Sequence, residues 1–136
     1  MAPATRRVLF LAALLAVYLV GFVPTWLKLR DQTAQREKAE HALASTRIVK
    51  DLGSAAIDAR LTQYEAARLE ASAFFTEARS EIDQGDNSAL TKQQREALGP
   101  LIAPRDELIT LLARSDPSSA DRLATLYVSV RKILGV

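Results

Sequence analysis

Between Val8 and Leu27 the chain runs for twenty residues, VLFLAALLAVYLVGFVPTWL, without a charge, directly after Arg6 and Arg7. At ~1.5 Å of rise per residue, a helix of that length crosses a hydrocarbon core of ~30 Å. A core helix of a globular domain would show one apolar stripe and one polar face. This run is apolar on every side, and its only hydroxyls are Tyr18 and Thr25. The exit, Phe22-Val23-Pro24-Thr25-Trp26-Leu27-Lys28, carries no small-x-small cleavage site, so the expectation is an uncleaved signal-anchor over 8–27. Five residues would mark its edges. Arg6 and Arg7 sit before it, Trp26 has the amphipathic ring of an interfacial belt, and Lys28 and Arg30 close the far end with side chains long enough to snorkel.

Charge is distributed to match. All 16 acidic residues and 16 of the 18 basic ones lie after residue 27, which leaves that part of the chain neutral overall. No block of like charge is present to bind phosphate, so nucleic acid is excluded as an expected partner. Cysteine is absent, which removes disulfides, thiolate metal sites and cysteine nucleophiles together. Arginine outnumbers lysine 13 to 5 and alanine is abundant, a composition of GC-rich bacterial genomes.

Beyond the anchor, no segment alternates apolar and polar residues over the length of a strand, and the expected class is all-α. The expected domains are a short tail (1–7), the transmembrane helix (8–27), a polar helical stalk (28–53) and an antiparallel bundle (54–136) of three helices, or four if the stalk joins it. In the stalk, charges alternate and large apolar residues are sparse, with Leu43, Ile48 and Leu52 as the candidate interaction positions. Gly53-Ser54 would kink or break the helix there.

Three amphipathic helices come next, near 55–84, 92–114 and 117–134. In the first, Ile57, Leu61, Tyr64, Arg68, Ala71, Phe75, Ala78 and Ile82 recur at alternating spacings of four and three. Leu69 and Phe74 widen that stripe, and Arg68 either snorkels past it or pairs with Glu65 one turn before. Gly85 suits a left-handed C-terminal cap. Thr91-Lys92-Gln93-Gln94 matches a capping box, and Gly99-Pro100 and Pro104 either shorten or kink the helix that it opens. Asp116-Pro117-Ser118 reads as a helix start, with Ser118 and Asp121 as a second box. The expected bundle core is Ile57, Leu61, Tyr64, Phe75, Ile82, Leu108, Leu112, Leu123, Leu126 and Val130.

Chemistry is sparse. His41 is the single histidine, and it lies with Glu37 and Glu40 on the most polar helix, so it reads as part of a solvated face. Glu77, Glu81, Asp83 and Asp86 lack the alternate-position spacing of a calcium loop. Arg105-Asp106-Glu107 reads as a helix first turn. No phosphate-binding glycine loop and no nucleophile–base set is present. No catalytic, cofactor-binding or metal-ligating residue is therefore expected. The sequence points to a non-enzymatic structural or adaptor protein of a bacterial envelope complex, held in the inner membrane by one span. The basic residues ahead of the span place the C-terminal domain outside the cytoplasm. Its expected partners are the lipid bilayer and other envelope proteins or further copies of itself, met through helix–helix contacts. The alternative is an extracytoplasmic ligand-sensing bundle that signals through a partner.

Overall fold

The computed structural model describes the backbone of residues 3–136 and the side chains of residues 8–21 and 28–136. Every regular element among the described residues is helical. The order is α1 (Pro3–Arg60), α2 (Tyr64–Asp83), a 3-10 turn (Gly85–Asn87), α3 (Lys92–Ile102), α4 (Arg105–Ala113) and α5 (Ser118–Leu134). The chain divides into two compact units, Met1–Ala39 and Glu40–Val136.

The first unit is helical backbone whose described side chains are all exposed. Val8, Leu9, Phe10, Leu11, Leu14, Leu15, Val17, Tyr18, Leu19 and Val20 range from 52% to 75% exposed. Among the described residues no helix is long and apolar enough to cross a membrane. The run from Val8 to Leu27 lies partly outside them, because the side chains of residues 22–27, Trp26 included, are not described, nor are those of Arg6 and Arg7. Lys28 and Arg30 are exposed.

The second unit is a bundle built from the last part of α1 and the four helices after it. Its core draws Ile48, Leu52, Ala55, Ala56 and Ala59 from α1, and Ala67, Ala71, Phe74, Phe75 and Ala78 from α2. α3 adds Leu98 and Ile102, α4 adds Leu108 and Leu112, and α5 adds Leu123, Leu126, Val130 and Leu134. α1 and α2 face inward largely with alanine, which lets backbones approach. Phe74 and Phe75 fill the remaining space, their rings 4.9 Å apart and inclined at 61° in an edge-to-face contact. α2 and α5 each pack against both α3 and α4. α1 runs antiparallel to α5, since Gly53 meets Tyr127 and Arg60 pairs with Asp121 as one helix ascends and the other descends.

Several expectations need correction. The bundle does not begin at residue 54. Ile48 and Leu52 are fully buried, so they are core residues and not free interaction positions; only Leu43, 66% exposed, remains on the surface. Large apolar residues are sparse over 28–53, but a buried face needs only one suitable residue per turn, and Ser45, Ile48, Leu52 and Ala55 supply it.

Gly53 does not break α1, which continues through it to Arg60. A Cβ there would come within 3.1 Å of the Tyr127 ring, so the glycine serves a close helix crossing. The break lies at Leu61, Thr62 and Gln63 instead, with Thr62 at a φ of 61°. Because that turn redirects the chain, Ile57 and Leu61 are not core residues; they are 60% and 59% exposed. Tyr64 and Ile82 are half-buried and pack against the core, while Phe75, Leu108, Leu112, Leu123, Leu126 and Val130 are buried as expected. Of the two readings of Arg68, the structure shows the pair with Glu65. Arg68 grips Glu65 at 3.0 Å through Nε and 2.5 Å through Nη2, and this guanidinium holds the Glu65 carboxyl below its ordinary value.

Local signals explain the helix ends. Gly85 takes a φ of +56°, just past the end of α2. Thr91 and Gln94 form the capping box reciprocally, at 3.2 and 3.0 Å. Pro100 lies inside α3 without ending it, and α3 and α4 are separate helices that part at Ala103 and Pro104. At α5 the capping oxygen comes from Asp116, whose Oδ1 accepts the Ser118 N–H at 2.9 Å, and the Ser118–Asp121 box does not form. Hydrogen bonding from Ser118, side chain first and then backbone, holds the Asp116 carboxyl below its ordinary value.

One buried group is unsatisfied. Ser45 is fully buried on α1 and its hydroxyl has no hydrogen-bond partner among the described residues. An unpaired buried hydroxyl costs roughly 1–3 kcal/mol, whereas the alanine methyl costs nothing comparable. Ser45→Ala is therefore expected to stabilise the bundle by about 1 kcal/mol, read as a higher denaturation midpoint; a lower midpoint would show that the hydroxyl is paired in solution.

Candidate functional site

The surface of the bundle offers two kinds of place: polar clusters that tie the helices together, and shallow grooves between them. The main polar cluster centres on Gln94, at the start of α3. Its Oε1 accepts the Thr91 N–H at 3.0 Å, and its Nε2 donates to the Ile133 carbonyl on α5 at 3.4 Å. These two contacts fix which end of the amide is oxygen. His41 Nε2, 2.9 Å from that oxygen, is therefore the donor. Half-buried His41 thus joins α1 to α3 and α5, which corrects the reading of a solvated face. Its partner lies 53 positions away in sequence, beyond the reach of any local pattern.

A second cluster closes the connection between α2 and α3. Glu81 accepts from the Ser88 hydroxyl at 2.5 Å and the Ala89 N–H at 2.9 Å. Arg95, only 12% exposed at its side chain, donates to the Leu90 carbonyl at 2.6 Å and lies 3.5 Å from Asp86. The acidic residues near this turn are thus its fastening. Glu77 pairs with Arg47 of α1 at 3.2 Å, and Asp83 with Arg79 at 3.1 Å. Arg105-Asp106-Glu107 opens α4, and Glu107 pairs with Arg122 of α5.

A groove of about 490 Å³ lies where α3 and α4 meet α5. Pro100, Leu101, Pro104, Leu108 and Leu126 make it apolar, and Asp121, Arg122, Thr125 and Ser129 border it. Thr125 and Ser129 donate their hydroxyl protons to carbonyls one turn back in their own helix. A smaller groove of about 270 Å³ runs between α1 and α2 beside exposed Leu43, with Glu40, Glu77, Glu81 and Arg47 around it. Neither brings a nucleophile next to a base. Among the described residues, no group of three or more histidine, cysteine or acidic side chains is placed to hold a metal ion.

Of the residues singled out in the sequence, Leu43 alone is a free surface position among the three interaction candidates. Leu43, Glu40 and Arg47 come together at the smaller groove. The capping box marks Gln94 in the sequence, but no local signal marks its contacts with His41 and Ile133, which join separate helices, nor those of Arg95 with Leu90 and Asp86, which depend on how the α2–α3 connection folds back. Comparison with protein-family models, with curated proteins and with solved structures finds no match for this chain.

Proposed function

We propose that this chain is a membrane-anchored, non-enzymatic adaptor of a bacterial envelope complex. In this reading residues 8–27 form its single transmembrane helix in the inner membrane, and the bundle from Glu40 onward is the extracytoplasmic domain. One observation carries it. The described part of the uncharged run is an α-helix whose large apolar side chains are exposed on all sides, ten of them between Val8 and Val20. Burying that surface needs an apolar medium or an apolar partner around the whole helix. Arg6 and Arg7 before the run and Lys28 and Arg30 after it suit the two headgroup layers. The absence of a nucleophile–base pair among the described residues favours binding over catalysis as the work of the bundle. Exposed Leu43 in its acidic groove is the contact position we assign to an envelope partner.

Photo-crosslinking in native membranes from position 43 tests this. One defined partner, captured in constant ratio and lost when the crosslinker is moved to exposed Leu69 on α2, supports the adaptor reading. Capture of copies of the chain alone, or of nothing, refutes it.

A further inference from the structure

The turn between α1 and α2 consists of Leu61, Thr62 and Gln63, with neither glycine nor proline in it. Thr62 holds a φ of 61°, a left-handed backbone that is strained for a β-branched residue. The sequence around it favours a different path. Apolar residues at Ile57, Leu61, Tyr64, Ala71, Phe75 and Ala78 share one helical face, as they would in a single unbroken helix from 55 to 84. The turned form pulls that face apart and leaves Ile57 and Leu61 60% and 59% exposed. Local preference and tertiary packing thus disagree over one three-residue segment. A short hinge under strain is the setting in which an element is exchanged between identical chains.

We propose that 61–63 is a hinge whose straightened form joins α1 and α2 into one helix, and that its partner is a second copy of this chain. In that dimer the α1 segment of each copy seats on α2–α5 of the other. Ile48 and Leu52 enter the same core in the partner, and the pairs Arg47–Glu77, Arg60–Asp121 and His41–Gln94 reform between chains. Nothing in the closed bundle is lost except the intramolecular connection. Two things are gained: Thr62 returns to helical backbone, and the two straightened hinges lie alongside each other, so that Ile57 and Leu61 cover their counterparts. A different protein docking on Ile57 and Leu61 would leave the Thr62 strain in place, which is why a second copy is the better occupant. Every residue in the exchange belongs to the Glu40–Val136 unit, and because α1 and α2 are antiparallel, with Arg47 against Glu77, the two straightened helices run antiparallel and the Glu40 ends of the two copies lie at opposite ends of the dimer.

The chain has no cysteine, so Leu43→Cys with Ser80→Cys carries two spin labels at exposed positions. In the turned form these sites lie across the α1–α2 pair. In a straight helix the 37 residues from 43 to 80 separate them by ~55 Å. The labelled full chain, in detergent micelles with an excess of unlabelled chain, reports only distances within one copy. The expected result is a short distance in the monomer fraction and one near ~55 Å in the dimer fraction. Thr62→Gly, which relaxes the turn, is expected to lower the dimer fraction at least about fivefold at fixed concentration. Thr62→Ala, which keeps a Cβ in the left-handed turn while strengthening the helix, is expected to raise it. Thr62 is exposed, so both variants keep the core. A short distance in the dimer, equal dimer fractions for the two variants, or no dimer of Thr62→Ala would overturn the proposal.

Discussion

Replacing Leu52 with aspartate is expected to unfold the bundle, with a loss of more than about 4 kcal/mol. Leu52 has no exposed surface and sits on the α1 face with Ile48, Ala55 and Ala59. A carboxylate there loses its hydration and meets only apolar neighbours, so it must either shed its charge or expel the helix. The control is nine residues earlier on the same helix. Leu43 is 66% exposed, and Leu43→Asp is expected to change stability by no more than about 0.5 kcal/mol. Chemical denaturation of the two full-length variants followed by circular dichroism separates them. Equal stability would mean that residues 40–60 are a free-standing helix and that the core begins at α2.

Phe74→Ala is expected to cost about 3–5 kcal/mol. Phe74 and Phe75 are the largest fully buried side chains of the bundle and meet edge to face. Most of the other core residues of α1 and α2 are alanines, which cannot extend into a vacated space. The void therefore stays open, and the cavity contribution adds to the lost transfer energy. Leu69, on the same helix and 62% exposed, provides the comparison: Leu69→Ala should fall within about 0.5 kcal/mol of wild type. A Phe74→Ala loss below about 1 kcal/mol would show that the helices close over the gap.

These substitutions also mark how much of the fold could be read from the chain. Helical class, the capping box at Thr91, the left-handed Gly85 and the core positions of α4 and α5 all derive from signals carried within a few residues. What escaped depends on distance in sequence. Ile48 and Leu52 look isolated in the chain because their neighbours on the buried face are serine and alanine, which carry little hydropathy but pack closely. Gly53 looks like an interruption because its reason, the Tyr127 ring, lies on α5. The break at Thr62 has no signal at all, since glycine, proline and asparagine are absent from the turn and tertiary packing imposes it. The site residues divide in the same way. Exposed Leu43 is visible as an apolar residue among charges, and Gln94 as the end of a capping box, whereas the contact of Gln94 with His41 joins segments 53 residues apart that no local pattern relates.

The claim on which the functional reading depends is that residues 8–27 are embedded in a bilayer, and alkaline extraction of native membranes tests it most directly. A chain held by a spanning helix stays in the membrane pellet at about pH 11, where peripheral proteins detach because their polar contacts fail and the hydrophobic term persists. The account predicts complete retention for the full chain, and release when Leu11, Leu15 and Leu19 are together replaced by aspartate, since three charges in the apolar run make its insertion too costly. Release of the unaltered chain into the supernatant would contradict it, and would mean that the exposed apolar helix is covered by protein.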